Sequence, residues 1–204
     1  MVRDATFFVV DFFTGDRASD LGRLLASQVF RLKDRKGFLL KFTFTKTFRG
    51  DTSCPFVLEP FKGNEVCPVS WIEYYLSVCQ LLSIEFAGGH LFRTTDRRKV
   101  VSSRPFLGSA VNNRLRKHLT EAKIDCGETP HSFRLGLSNT LNMMGCSPDK
   151  ISLYVGWRNG DVVSHYTKMS TVAGSPPITR RLLSSTECLD QTPISHPSNL
   201  QCIF

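Results

Sequence analysis

One six-residue motif, Thr129-Pro-His-Ser-Phe-Arg134, gives the clearest structural signal in this sequence. A capping residue followed by proline at the first helical position predicts a helix from Pro130 to Met144. His131 and Arg134 are three residues apart, so they share one face of that helix. A helix N-terminus attracts phosphate, and an arginine adds a rigid fork of donors that matches phosphate oxygens. Taken alone, the motif is explained better by a solvated histidine and arginine at a helix start.

Two aromatic residues follow this motif. Gly156-Trp157 comes nine residues before Tyr166, which lies in Ser164-His165-Tyr166-Thr167. A tyrosine hydroxyl can act as a nucleophile. The plainer explanation is that Trp157 packs in the core and Tyr166 is a half-buried anchor. His165 is adjacent to Tyr166 and points in a different direction along a helix, so we do not expect it to act with the tyrosine.

Two basic residues precede the motif. Arg17 lies in the stretch from Thr14 to Leu21, where an apolar run turns into the next helix, and Asp20 is one turn further on. Lys46 comes at the end of a strand with alternating apolar residues and enters a turn. A surface pair between Arg17 and Asp20, and a solvated turn lysine, would explain these fragments equally well.

In this order and at these spacings, the fragments resemble the tyrosine recombinase (phage integrase) family. The family pattern is an arginine in Thr-Gly-x-Arg-x-Ser-Glu/Asp-Leu, a β-hairpin lysine, His-x-x-Arg, Gly-His/Trp and then a tyrosine. The resemblance covers about residues 5 to 170 and favours the eukaryotic mobile-element branch, such as Crypton-like recombinases. The matching residues are Arg17, Lys46, His131, Arg134, Trp157 and Tyr166.

The resemblance implies a catalytic role for each matching residue. Tyr166 would attack a DNA phosphate and form a 3′-phosphotyrosine bond, while Arg17 and Arg134 clamp the phosphate oxygens. Lys46 would be the general acid for the leaving 5′ oxygen. His131 would assist proton movement or bind phosphate. Trp157 would help to orient the phosphate or the tyrosine. Asp20 would hold Arg17 in place.

Two departures from the family pattern, and one alternative choice of lysine, bear on activity. Only about a dozen residues precede Thr14, so we expect the separate helical core-binding domain to be absent, and with it about half of the usual DNA contacts. Trp157 stands where histidine is commoner, although some branches use tryptophan. Lys41 competes with Lys46 for the role of general acid, but Lys41 lies in the middle of a strand and Lys46 lies nearer the turn.

Composition and charge indicate the class of partner. The chain of 204 residues has 26 Lys and Arg against 18 Asp and Glu, a net charge of +8, which suits double-stranded DNA. Its seven cysteines contain no Cys-x-x-Cys pair, so we expect no metal, no other cofactor and no disulfide framework. The apolar runs are too short to cross a membrane and there is no secretory signal. We therefore expect a nuclear protein, or a cytoplasmic one if prokaryotic.

The predicted architecture is α+β and mainly helical, with a small antiparallel three-stranded sheet. The run 5–13 does not decide between helix and strand, whereas 29–32, 37–45 and 55–59 are predicted strands. Residues 1–172 form the predicted catalytic domain, and the proline, serine and threonine content of 173–204 indicates a flexible tail. The predicted helices are 18–25, a helix after Pro68, 106–122, 130–144, one starting at Ser147-Pro148 and ending at 154, and 161–169.

Two functions follow from these patterns. The first is site-specific cleavage and rejoining of DNA strands by a homo-oligomer on DNA, with no small-molecule substrate. The second is a non-catalytic DNA-binding or interaction module left from a mobile element. The complete set of catalytic residues favours the first function, and the short start favours the second, so the activity of this chain alone is the open question. An unrelated basic helical protein would need all six matches to arise by chance.

Overall fold

The computed structural model describes residues 1–33, 36–42, 54–61, 65–96, 99–157 and 200–202. Its helices are α1 (Val2–Thr14), α2 (Ala18–Gly22), α3 (Pro68–Leu81), α4 (Gly108–Glu121), α5 (His131–Met143) and α6 (Pro148–Val155). Its strands are β1 (Val29–Leu32), β2 (Phe38–Phe42), β3 (Cys54–Leu58), β4 (Arg93–Asp96), β5 (Lys99–Pro105) and β6 (Leu200–Cys202). No helix in these ranges is long and apolar enough to cross a bilayer.

The predicted three-stranded antiparallel sheet is confirmed. β2 lies between β1 and β3, with Val29 opposite Leu40 and Phe38 opposite Leu58. A short fourth strand, β6, pairs antiparallel with the outer edge of β1. β6 belongs to the region for which the sequence predicted a flexible tail; residues 173–199 of that region lie outside the described residues, as does the helix predicted over 161–169.

A second sheet, the antiparallel hairpin of β4 and β5, was not predicted from the sequence. Its register is irregular between Arg93 and Thr95, and the Thr94 hydroxyl donates to the carbonyl of Pro105 at 2.7 Å. The hairpin carries mostly polar and β-branched residues. It therefore lacks the clean apolar alternation that indicates a half-buried strand.

The apolar run near the start of the sequence is helix α1. Its buried positions are spaced by three and four residues, which is the period of a helix buried on one broad face. Phe7 contacts the rings of Phe92 and Phe106, each with ring centroids 5.1 Å away. Phe8 stacks on Phe133 of α5 at 5.4 Å. α1 therefore packs against elements that come much later in the chain.

Of the two helix starts predicted from a capping residue followed by proline, the structure confirms one and corrects the other. Ser147 caps α6 as predicted, because its hydroxyl accepts from the backbone N–H of Lys150. Thr129 does not cap α5: the helix starts at His131, with Pro130 in the capping position and no side-chain cap. The hydroxyl of Ser132 instead accepts from the backbone N–H of Thr129 at 3.2 Å, which forms a turn just before the helix.

Candidate functional site

Arg134 is buried where three segments of the chain meet. It lies on α5 with 3% of its surface exposed. Its Nη1 donates to the carbonyl of Gly15 at 2.7 Å, in the turn between α1 and α2, and its Nη2 donates to the carbonyl of Val155 at 2.7 Å, at the end of α6. The guanidinium thus joins the turn that precedes Arg17 to the segment that precedes Trp157.

Gly15 permits this close approach. It ends α1 with φ 58, in the left-handed region, and a Cβ at this position would lie 2.5 Å from Cδ2 of Leu137 on α5. Any side chain would therefore be strained by its backbone and would also force the buried Leu137 side chain to shift.

We expect Gly15→Ala to lower the free energy of unfolding by about 2–4 kcal/mol, since it adds left-handed strain to overpacking. Urea unfolding measures the effect. Gly88→Ala is the matched control, because Gly88 has φ +66 but nothing within 4 Å of its Cβ position. A loss of the same size in both variants would mean that the contact between Gly15 and Leu137 adds nothing beyond backbone strain.

The ring of Trp157 packs against the guanidinium group of Arg134. α6 ends at Gly156 with φ 68, and the backbone N–H of Trp157 donates to the carbonyl of Ser152 at 2.8 Å. This turn places the Trp157 ring 5.3 Å from Cζ of Arg134, which is within the range of a cation–π contact. The indole therefore covers the guanidinium and packs with the small apolar cluster of Leu137, Ile151 and Val155.

Arg17 occupies the capping position of α2, with about a third of its side chain exposed. Its Nη1 lies 3.9 Å from Oδ2 of Asp20, which is too far for a hydrogen bond but close enough for electrostatic attraction. The side chain of Asp20 is only 6% exposed, and Arg23 approaches it from the other side at 3.8 Å. The Arg17 guanidinium thus remains accessible to a ligand while a buried carboxylate lies below it.

A cleft of about 310 Å³ opens beside Asp20. Its lining includes His90 and Phe42, the last described residue of β2. Lys46 and Tyr166 lie outside the described residues. Lys41, the competing candidate, is on β2 with its Nζ 4.9 Å from the ring of Phe30.

His131 is the first residue of α5 and is exposed. Partial burial lowers its pKa, and the charges of Arg134 and Arg17 lower it further. These two charges act on one imidazole because all three side chains lie at the same corner of the protein. The histidine is therefore held in its neutral form at neutral pH, in which one ring nitrogen can accept a proton.

Two acidic residues in this corner were not predicted as site residues. Asp16 is 7% exposed, accepts the backbone N–H of Arg17 at 2.8 Å, and lies 3.9 Å from Nη1 of Arg134. Asp11, one turn earlier on α1, is fully buried. The sequence carried a signal for Asp11, since a carboxylate inside an apolar run is unusual. Within the described residues, no group of three or more His, Cys, Asp or Glu could hold a metal ion.

The sequence profile of the phage integrase family matches residues 1–171, so the chain belongs to this family of tyrosine recombinases. The sequence has no significant match among curated proteins. The fold, with its helices around a small antiparallel sheet, is that of a tyrosine recombinase catalytic domain.

Three solved structures illustrate the likeness. The XerH site-specific recombinase, in a post-cleavage complex with its palindromic difH substrate, has a TM-score of 0.61 and 13% identity over 90% of this chain. XerA recombinase has a TM-score of 0.61 and 21% identity over 89% of it. The Flpe–Holliday junction complex has a TM-score of 0.50 and 15% identity over 94%. The chain spans 44%, 55% and 49% of these proteins, about half their length.

Proposed function

We propose that this chain cleaves and rejoins DNA strands at specific sites through a covalent bond between Tyr166 and a 3′ phosphate. The observation that carries the proposal is the position of Arg134, whose two hydrogen bonds hold the turn before Arg17 against the segment before Trp157. Family membership supports the reaction type. The net charge of +8 supports DNA as the substrate.

The arginines would stabilise the transition state electrostatically. Arg134 is fixed by backbone carbonyls and by the Trp157 ring, so its charge needs no reorganisation when the phosphate arrives. Arg17 is accessible and can contact a non-bridging oxygen directly. Together they would offset the negative charge that develops on the phosphate oxygens.

Two proton transfers would accompany cleavage. The hydroxyl oxygen of Tyr166 attacks phosphorus, and neutral His131 accepts the proton that the hydroxyl loses. The bond from phosphorus to the 5′ oxygen breaks, and Lys46 donates a proton to that oxygen. The phosphotyrosine keeps the energy of the broken ester bond, so a 5′ hydroxyl can reverse the reaction and rejoin a strand without a nucleotide cofactor.

The test is formation of a covalent protein–DNA adduct. Because the target sequence is unknown, the protein is incubated with a pool of nicked duplexes of randomised sequence, in which the cleaved end diffuses away and traps the adduct. We expect a band that resists denaturation with wild type and no such band with Tyr166→Phe, which lacks only the nucleophilic oxygen. Sequencing the trapped DNA would identify the target.

Two controls make the outcome decisive. Tyr74→Phe removes the hydroxyl of an exposed tyrosine on α3, far along the chain from the proposed site, and should leave the adduct unchanged. The experiment is repeated with a core-binding domain of a family member added in trans. If wild type forms no adduct under either condition, the proposed enzymatic function is wrong.

A non-catalytic DNA-binding module is the second candidate. The observation that favours it is that Arg134 is only 3% exposed and is bound to two backbone carbonyls, as a purely structural arginine would be. Both candidates predict binding to double-stranded DNA, with affinity falling as salt rises. Binding without any adduct, equal in wild type and Tyr166→Phe, would favour this second function.

The proposal also covers the number of copies that act together on DNA, the origin of the chain and its location in the cell. Exchange of strands between two duplexes needs more than one nucleophile, so several copies of the chain would assemble on DNA. An origin in a Crypton-like mobile element and a nuclear location belong to the same proposal, and the origin rests on the resemblance of the ordered motifs to that branch of the family. Light scattering of the protein bound to its trapped target would give the number of copies.

A further inference from the structure

Two buried carboxyl groups lie beside the arginines, and the proposed mechanism gives neither of them a role. Oδ1 of Asp16 accepts the backbone N–H of Arg17 at 2.8 Å and lies 3.9 Å from Nη1 of Arg134. Its Oδ2, and both oxygens of Asp11, are buried with no hydrogen-bond partner among the described residues. Such groups are costly to bury, so their presence calls for a physical reason.

The charges around Asp16 come from three elements. Asp11 faces it from α1, Arg17 and Asp20 lie on α2, and Arg134 lies on α5. Burial raises the pKa of Asp11 well above its ordinary value and the charge of Asp16 raises it further, while the charge of Arg134 lowers it, so Asp11 ionises less readily than an ordinary carboxyl group. Asp16 is then the anion that stands directly between the backbone of Arg17 and the guanidinium of Arg134.

We propose that Asp16 is a positioning residue, whose carboxylate is the internal counter-ion that holds Arg134 and the Arg17 backbone in place before DNA binds. Two arginines gathered at one corner repel each other when no phosphate is present. A carboxylate fixed between them offsets this repulsion and keeps the guanidinium of Arg134 aligned with the turn that carries Arg17. Its catalytic consequence rests on the function proposed above.

Ionisation of the buried Asp16 carboxyl group lowers the free energy of unfolding. Burial, partly offset by the N–H of Arg17 and the two guanidinium charges, raises the pKa of Asp16 to about 6 from an ordinary value of 3.8. A folded pKa above the unfolded one means that the stabilising contribution is complete below about pH 4. It is lost as pH rises through about 6. Asparagine, which resembles the protonated acid, would therefore suit the folded state better at neutral pH.

The first test uses Asp16→Asn and does not depend on catalysis. We expect the variant to unfold at a higher denaturant concentration than wild type at pH 7.5, with a much smaller difference at pH 4.5. In nitrogen-15 NMR, the Arg134 side-chain signal, assigned by its loss in Arg134→Lys, should shift with a midpoint near pH 6 in wild type and not in Asp16→Asn. Asp11→Asn is the matched control, and in that variant the shift should remain.

The second test measures the rate of adduct formation on the trapped target. If Asp16 positions the arginines, Asp16→Asn should slow cleavage by up to about 100-fold at pH 7.5, the penalty typical of a misplaced catalytic group. DNA affinity should change little, and Asp16→Glu, which keeps the charge, should recover part of the rate. The ratio of wild-type to Asp16→Asn rates should fall toward one below about pH 6, because wild-type Asp16 is then protonated too.

The outcomes separate this inference from the proposed function. If wild type forms no adduct, the proposed function fails, but the NMR titration still decides whether Asp16 controls Arg134. If Asp16→Asn leaves both the Arg134 signal and the cleavage rate unchanged across the pH range, Asp16 is not a positioning residue. A stabilised variant with a normal Arg134 titration would likewise overturn the inference, since the carboxylate would then be only a buried charge.

Discussion

Replacing Arg134 with alanine is expected to lower the free energy of unfolding by about 3–5 kcal/mol and to slow strand cleavage by about 100- to 1000-fold. The stability loss follows from the two hydrogen bonds to Gly15 and Val155, each of which leaves a buried carbonyl unsatisfied when the guanidinium is removed. The rate loss would follow, under the function proposed above, because the positive charge expected to stabilise the transition state would be removed and the turn before Arg17 would lose its support.

The two effects of this substitution can be separated. Arg134→Lys keeps a positive charge but cannot donate to two carbonyls in a planar fork, so we expect partial recovery of the cleavage rate with most of the instability remaining. Urea unfolding and single-turnover adduct formation are the measurements. Arg116→Ala on α4 removes an exposed arginine and should change stability by no more than about 0.5 kcal/mol. A fully stable Arg134→Ala protein would contradict the structural role of the residue.

Replacing Asp4 with alanine is expected to lower the free energy of unfolding by about 3 kcal/mol, a value reduced because one of its arginine partners is a third exposed. Asp4 is 1% exposed on α1 and binds Arg3, Arg114 at 2.6 Å and His118 at 3.0 Å. Alanine would leave these basic groups together with no carboxylate between them. The same variant should separate α4 from α1, because Arg114 and His118 both lie on α4.

The Asp4 network also predicts the acid sensitivity of the fold. Burial alone would raise the pKa of Asp4, but the hydrogen bond with His118 and the charges and hydrogen bonds of its arginines lower the pKa to about 2. Since the folded pKa lies below the ordinary 3.8, this stabilisation is present above about pH 4 and is lost as pH falls through about 2. Chemical unfolding from pH 5 to pH 2 should show a larger loss of stability in wild type than in Asp4→Ala, and the difference is the contribution of Asp4.

Glu121→Ala, which removes an exposed ion pair, is the control for the Asp4→Ala variant. Glu121 is 60% exposed and lies 3.6 Å from Lys117 and 3.7 Å from His118. Glu121→Ala should cost at most about 0.5 kcal/mol, because exposed ion pairs contribute little. If Asp4→Ala costs no more than this, the buried network does not stabilise the junction between α1 and α4.

Much of the fold could be predicted from local patterns. β1 was predicted with its observed bounds, Val29–Leu32, in which three of the four residues are apolar. α1 could not be distinguished from a strand, since a helix buried on a broad face loses the polar stripe that reveals its period. The β4–β5 hairpin was missed because its polar and β-branched residues lack the apolar alternation of a half-buried strand, although distant residues also contact it: Arg3, for example, donates to the carbonyl of Arg93.

The candidate site was predicted from the sequence as a set of residues, and the arrangement of those residues could not be predicted. Motif order identified Arg17, Arg134 and Trp157, and the structure brings them to one corner. The sequence could not indicate that Arg134 turns inward to two carbonyls, because backbone partners leave no trace in residue identity. Asp16 was missed for a similar reason: in sequence it is one polar residue in a turn. The catalytic roles of all the predicted site residues, including Lys46 and Tyr166, remain predictions.

The packing of α1 also affects how the protein folds during its synthesis. Arg134 and the Gly15 carbonyl that it binds are separated by 119 residues. A ribosome adds about 5–20 residues per second, so α1 would wait roughly 6–24 s for α5 to emerge. During that interval the apolar face around Phe7 and Val10 can be covered only by the elements that lie between α1 and α5 in the sequence. The nascent chain is therefore a candidate for chaperone protection, and slower translation between α1 and α5 would prolong its exposure to aggregation.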